Sequence, residues 1–116
     1  MLKLAHFEIT AADVDGVAAF YAKLTGWHAE PAGFIPDYTM LSEGGENGMT
    51  GAVMSSNYRK QPAILWFATG DIDASIRDVV AGGGKQVNEV QPLPDGRKTV
   101  YVTDPAGNIF GLTQNP

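Results

Sequence analysis

Asp13-Val14-Asp15 followed by Gly26, and Asp71-Ile72-Asp73 followed by Gly84, form one short signal that occurs twice in this chain. The two copies lie 58 residues apart, which is half of the 116-residue chain. Repetition at a fixed distance is typical of a duplicated structural unit. The sequence therefore predicts two copies of one unit, in which each position of one half has a counterpart in the other.

The first half predicts the order strand, helix, strand, strand, strand. Asp13 is a suitable helix cap, and apolar residues at helical spacing follow it, at Val17, Phe20, Tyr21 and Leu24. Gly26 stands where a left-handed residue can end the helix. The predicted strands are Leu2–Ile9, Trp27–Glu30, Tyr38–Ser42 and Met49–Met54.

The second half repeats that order. Asp71 is the predicted cap of a second helix, whose apolar stripe is Ile72, Ile76, Val79 and Val80. Strands are predicted over 63–69, 86–90, 98–103 and 109–114. Each half is short for an independent core, so we expect a single domain over residues 1–116, made of two modules at about 1–56 and 61–116.

Composition excludes several classes of function. The chain has 8 Lys and Arg against 13 Asp and Glu, a formal charge of −5, and the basic residues are scattered. Nucleic acids and anionic membranes bind clustered positive charge, so neither is an expected partner. The absence of cysteine excludes disulfides, thiolate catalysis and cysteine-type metal sites. Without a leader or a long apolar run, a cytoplasmic location is expected.

Alternation along the predicted strands defines two faces of the sheet. Side chains two residues apart share a face, so His6 and Glu8 lie opposite Phe7 and Ile9. If the helices cover the face of Phe7 and Ile9, the other face is free to line a concave surface. That surface is predicted to carry His6, Glu8, Ile64, Trp66, Tyr101 and Gly111.

Four stretches together resemble the vicinal oxygen chelate superfamily, which includes glyoxalase I, bleomycin-resistance proteins and extradiol-type dioxygenases. They are His6-Phe7-Glu8-Ile9, the helix ending in Leu24-Thr25-Gly26-Trp27, Asp71-Ile72-Asp73, and the closing motif from Asp104 to Leu112. The resemblance covers essentially the whole chain. It implies an α+β fold of two tandem βαβββ modules, which form a curved, partly open mixed β-barrel with the helices outside, and it suggests a homodimer.

The resemblance also implies four positions for the ligands of a divalent metal ion. They fall at His6, at or beside Gly51, at Ile64 and at Gly111. Only His6 offers a ligating side chain, whereas a bound metal needs three or four. No metal and no other cofactor are therefore expected, although His6 and Glu8 with a further group such as Glu43 form an open alternative.

The residues leave three classes of function open. The first is a cleft that binds a small organic molecule without metal, as in the bleomycin-resistance branch, through His6, Glu8, Met40, Trp66 and Tyr101. The second is a lyase, isomerase or dioxygenase-type enzyme in which His6 and Glu8 are the catalytic candidates. The third is an accessory domain whose cleft is vestigial.

Overall fold

The computed structural model describes residues 1–45 and 48–116, and these residues form two compact units. The first unit is His6–Ala63. The second unit is Ile64–Pro116 together with Met1–Ala5. Each unit combines one helix with strands of mixed direction, so the α+β fold of two βαβββ modules predicted from the sequence is confirmed.

The first unit contains the helix α1 (Val14–Thr25) and four strands. The strands are β1 (Lys3–Ala11), whose first residues belong to the second unit, β2 (His28–Pro31), β3 (Tyr38–Ser42) and β4 (Thr50–Ser55). They lie in the order β2, β3, β4, β1. β2 and β3, and β3 and β4, are antiparallel, whereas β1 runs parallel to β4. The last strand of the module thus lies beside its first.

The second unit repeats this arrangement with β5 (Ala63–Ala68), whose first residue belongs to the first unit, and with α2 (Ile72–Ala81), β8 (Lys98–Thr103) and β9 (Ile109–Gln114). β5 is parallel to β9, and β9 is antiparallel to β8. The strand predicted over 86–90 is replaced by two short ones, β6 (Lys85–Gln86) and β7 (Gln91–Pro92), which both pair with β8. Asn88 lies between them and accepts a hydrogen bond from the backbone of Tyr101 through its side chain, 2.8 Å long.

The repeated Asp residues cap the two helices as predicted. The Asp13 carboxylate accepts a hydrogen bond from the backbone N–H of Gly16, and the Asp71 carboxylate accepts one from Ala74, each 3.0 Å long. Gly26 ends α1 in the left-handed conformation, at φ 75°. Capping satisfies backbone donors that the first turn of a helix leaves unpaired. The duplicated signal therefore marks two helix starts.

The predicted face of α1 is only half right. Val14 and Ala18 are buried with Leu41 and Val53, and Val17 and Tyr21 pack against this cluster as expected. Phe20 and Leu24, predicted in the same stripe, are 57% and 69% exposed. The buried face of α1 is therefore centred on Val14 and Ala18, and it leaves out Phe20 and Leu24. Helical spacing alone did not distinguish the two faces.

The second core follows the prediction more closely. Ile72, Val100, Val102 and Leu112 are buried together, and Ile76, Val79, Phe67 and Phe110 pack against them. Val80 is the exception in the predicted stripe, with 54% of its surface exposed. In the described ranges 1–45 and 48–116, neither helix has the length and apolar character needed to span a bilayer.

Candidate functional site

His6 and Glu8 lie on the face of the first unit that is opposite its helix, as their positions in β1 predict. Strand pairing places His6 beside Thr50, and Glu8 beside Ala52 and Met40 in one row across three strands. The alternate residue Phe7 points to the helix side, where its ring lies 6.1 Å from that of Trp27. The sheet therefore separates a polar face from the helix-side core.

Glu8 is the buried acid of this polar face. Only 3% of its surface is exposed, and its neighbours Ala52 and Met54 are buried as well. The Tyr38 hydroxyl donates a hydrogen bond of 2.7 Å to the carboxylate oxygen Oε2 of Glu8. A buried carboxylate without donors is costly, so this contact is a main reason that the sheet tolerates an acid here.

Tyr38 also contacts His6. The distance from Nε2 of His6 to the Tyr38 hydroxyl oxygen is 3.0 Å, and the distance from Nδ1 to the Thr50 hydroxyl oxygen is 2.8 Å. Both ring nitrogens of His6 thus have a hydroxyl partner. The result is a continuous chain of four side chains, Thr50, His6, Tyr38 and Glu8, contributed by three strands. We call it the hydroxyl–imidazole chain.

Tyr38 and Thr50 were not among the residues predicted for the site. Tyr38 was assigned to a strand, and it precedes the predicted site residue Met40 by two positions, so both share a face. This alternation was the signal in the sequence that could have placed Tyr38 in the site. Thr50 could be placed there only from the strand register, because it is the partner of His6 in β4.

Register shows which residues at or beside Gly51 share the face of His6. Gly51 pairs with Phe7, and a Cβ atom on it would overlap the Phe7 ring, so Gly51 lies on the helix side. Thr50 and Ala52 are the residues of β4 that share the face of His6. In the second unit, Gly111 pairs with Trp66 instead. The second unit has one more residue between its paired strands, which breaks the constant offset of 58.

The remaining predicted site residues lie in the second unit. Trp66 is 7% exposed, and its ring lies 4.8 Å from the ring of the partly buried Tyr101 in an edge-to-face contact. The indole covers Gly111 so closely that a Cβ atom at this position would overlap it. Ile64, the counterpart of His6, is fully buried. These residues form an apolar wall of the second unit.

The residues at the four family metal positions do not fit a divalent ion. Both nitrogens of His6 contact hydroxyl groups, Thr50 occupies the corresponding place on β4, and Ile64 and Gly111 have no donor atom. The carboxylate of Glu43 accepts a hydrogen bond from the backbone of Met49. Leaving aside Glu46 and Asn47, which the structure does not describe, no three His, Asp or Glu side chains are grouped to hold a metal.

Comparison with known proteins identifies the family. Residues 6–113 match the family model described as "Glyoxalase-like domain". The chain belongs to this family, and through it to the vicinal oxygen chelate superfamily, which confirms the resemblance found in the sequence.

Individual relatives have low sequence identity to this chain. The chain is 28% identical over 113 residues to proteins named "Putative glyoxylase CFP32" from Mycobacterium bovis and Mycobacterium tuberculosis. The match covers 92% of this chain and 43% of each relative, so the chain spans less than half of their length.

Solved structures share the fold at low sequence identity. A methylmalonyl-CoA epimerase in complex with methylmalonyl-CoA and NH4+ has a TM-score of 0.72 and 16% identity, with 99% of this chain and 95% of that chain covered. A methylmalonyl-CoA epimerase variant from Streptomyces coelicolor, in complex with 2-nitronate-propionyl-CoA, has a TM-score of 0.72 and 17% identity, with 99% of this chain and 96% of that chain covered. The hypothetical protein BH1468 from Bacillus halodurans C-125 has a TM-score of 0.72 and 17% identity, with 99% of this chain and 95% of that chain covered.

Proposed function

We propose that this glyoxalase-like protein binds a small organic molecule on the polar face of its first unit, without a metal ion. The observation that carries the proposal is the hydrogen bond from Tyr38 to the buried carboxylate of Glu8. Polar groups that are placed in a mostly apolar surround are typical of small-molecule sites. Here the polar groups are His6, Tyr38 and Glu8, and the surround includes Met40, Ala52 and Met54.

The contacts of His6 support a metal-free site. Its imidazole has hydroxyl partners at both nitrogens, whereas a ligating histidine must give one nitrogen to the metal. A small ligand with hydroxyl, amine or carbonyl groups suits a surface that carries an imidazole, hydroxyl groups and a carboxylate. Related solved structures with bound small molecules support the ligand class.

A ligand screen with matched variants tests the proposal. Saturation-transfer NMR with a fragment collection of small alcohols, amines, aldehydes and carboxylic acids should yield binders that the Glu8→Gln variant binds at least several-fold more weakly. His28→Gln is the control, because His28 is exposed and its side chain lies 3.4 Å from the exposed Glu30. Binders whose affinity is equal in wild type and Glu8→Gln would remove Glu8 from the site.

An isomerase or lyase is the second candidate function, favoured by the position of Tyr38 between an imidazole and a carboxylate. Acid and base groups in hydrogen-bond contact can move a proton to and from carbon. Such an enzyme would exchange a carbon-bound hydrogen of its ligand for deuterium in D2O. Fragments that bind but show no exchange in proton NMR would leave binding as the function.

We also propose a cellular location, an oligomeric state and a biological role for the protein. We expect it to act in the cytoplasm, as a homodimer, and with a sequestering role like that of bleomycin-resistance proteins. Light scattering on the purified chain measures the dimer directly. Bleomycin is a suitable probe for the sequestering role in the same NMR assay.

A further inference from the structure

The outer side of α1 carries large apolar side chains that face water. Phe20 and Leu24 are each more than half exposed, and they lie four residues apart, so they are neighbours on one side of the helix. The Phe20 ring makes an edge contact with the ring of Tyr21, at 5.3 Å, and Tyr21 packs against the buried cluster of the first unit. Phe20 is thus supported in position although its outer side is uncovered.

The second helix provides an internal comparison for this surface. α1 begins at Val14 and α2 at Ile72, so each position of α1 has its counterpart 58 residues later. The counterpart of Phe20 is Asp78, which is exposed, and that of Leu24 is Gly82. Polar residues are normal on a helix face that water covers. Since α2 has the same place in its module, the fold itself does not require the apolar residues on α1.

The same side of α1 has small residues next to Phe20 and opposite charges near its two ends. Gly16 and Ala19 are exposed, one a turn before Phe20 and the other beside it. Asp15 lies in the first turn of the helix and Lys23 in the last, and both are exposed. In the described part of the chain, neither of these two charges has an ion-pair partner. Such a surface is complementary to itself when one copy is turned end to end.

We propose that α1 is the dimer interface of this protein, and that it is covered by α1 of a second copy in antiparallel orientation. A two-fold axis near Ala19 and Phe20 packs each Phe20 ring against the small residues Gly16 and Ala19 of the other copy. Asp15 of each copy then lies beside Lys23 of the other, because both are four residues from Ala19. Antiparallel helices also place opposite ends of their dipoles side by side.

The size of this surface indicates a weak dimer. α1 has 12 residues and is therefore about 18 Å long. Two such helices bury less than the roughly 800 Å² per partner of a standard interface, so we expect a dissociation constant between about 1 μM and 1 mM. The inference rests on the proposed function for the homodimer and names its surface. Glu8 lies on the opposite face of the sheet, so its ligand screen fails or succeeds separately from the dimer.

Sedimentation equilibrium at low salt, from about 10 μM to 1 mM protein, measures the association. Phe20→Gln should raise the dissociation constant at least about tenfold. Val80→Gln is the matched control, since Val80 is an exposed apolar residue of α2, and it should change the constant by less than about twofold. A wild type that stays monomeric over this range would overturn the proposal. A dimer that Phe20→Gln leaves intact would overturn it as well.

A charge exchange tests the antiparallel arrangement. Asp15→Lys and Lys23→Asp each bring like charges together between identical copies, so each should dimerise at least about tenfold more weakly. An equal mixture of these two variants should recover about the wild-type affinity, because every pair across the mixed interface again joins opposite charges. Asp73→Lys and Arg77→Asp make the same changes of charge on α2 and should leave the dimer unchanged. A mixture that associates no better than the single variants would contradict the antiparallel interface.

Discussion

Tyr38 and Glu8 are 30 residues apart in the chain, and their side chains form a 2.7 Å hydrogen bond in the interior of the first unit. β3 provides the tyrosine and β1 the acid, and β4 lies between the two strands. The contact thus crosses a neighbouring strand. It joins an acid that the sequence predicted as a site residue to a tyrosine that only the folded sheet brings close.

Tyr38→Phe should destabilise the protein, because it leaves the buried carboxylate of Glu8 without the Tyr38 donor. We expect the free energy of unfolding in urea to fall by about 1–3 kcal/mol. Tyr58→Phe is the matched control: its hydroxyl donates to the backbone oxygen of Pro36 at an exposed site, so the loss should be below about 0.5 kcal/mol. Equal losses in the two variants would contradict the importance of the Tyr38–Glu8 contact.

Gly51→Ala should be destabilising, because a Cβ atom would overlap the Phe7 ring. The ring packs near Trp27, so we expect the displacement of the ring to cost about 1–3 kcal/mol. Gly33→Ala is the control, since nothing lies within 4 Å of its added Cβ. Thermal unfolding measures both. A stable Gly51→Ala protein would show that the Phe7 ring is not held against β4.

The two capping residues should contribute equally if the duplicated signal has one structural meaning. Asp13→Ala and Asp71→Ala each remove a carboxylate that accepts from a backbone N–H of the first helical turn. We expect each variant to lose about 1 kcal/mol in urea unfolding. Loss in only one of them would mean that the repeat preserves the sequence signal without its capping role.

Asp104 provides a pH-dependent contribution to stability. The Asn108 side chain donates to its carboxylate, and together with backbone donors this holds the pKa of Asp104 below its ordinary value of 3.8. A lowered pKa in the folded state means stability that is present above the unfolded pKa and is lost as the pH falls through the folded one.

Asn108→Ala should therefore destabilise the protein more at neutral pH than in acid. Urea unfolding of both proteins at neutral pH and well below 3.8 provides the comparison. A difference in unfolding free energy that is the same at both pH values would contradict an electrostatic role for the Asp104–Asn108 contact.

Local signals predicted much of the fold. The caps at Asp13 and Asp71, the strand Tyr38–Ser42 and the positions of His6 and Glu8 on one face depend on nearest neighbours along the chain, and sequence patterns report such neighbours well. The exposure of Phe20 and Leu24 depends on which side of α1 packs against the sheet. Spacing along the helix does not specify which of two neighbouring apolar faces that is.

The candidate site was harder to predict because it depends on register between strands. Glu8 was predicted as a site residue, but its partner Tyr38 is determined by the pairing of β1 with β4 and of β4 with β3. The same pairing moved Gly51 to the helix side. A one-residue difference between the modules is enough to do this, since neighbouring residues in a strand face opposite ways.

Metal content tests the central claim, a glyoxalase-like site organised by hydrogen bonds in place of a metal ion. Protein purified without chelators is analysed by mass spectrometry for transition metals, alongside the His6→Ala variant. The account predicts far less than one metal ion per chain in both proteins. One metal ion per chain in the wild type, lost in His6→Ala, would contradict it.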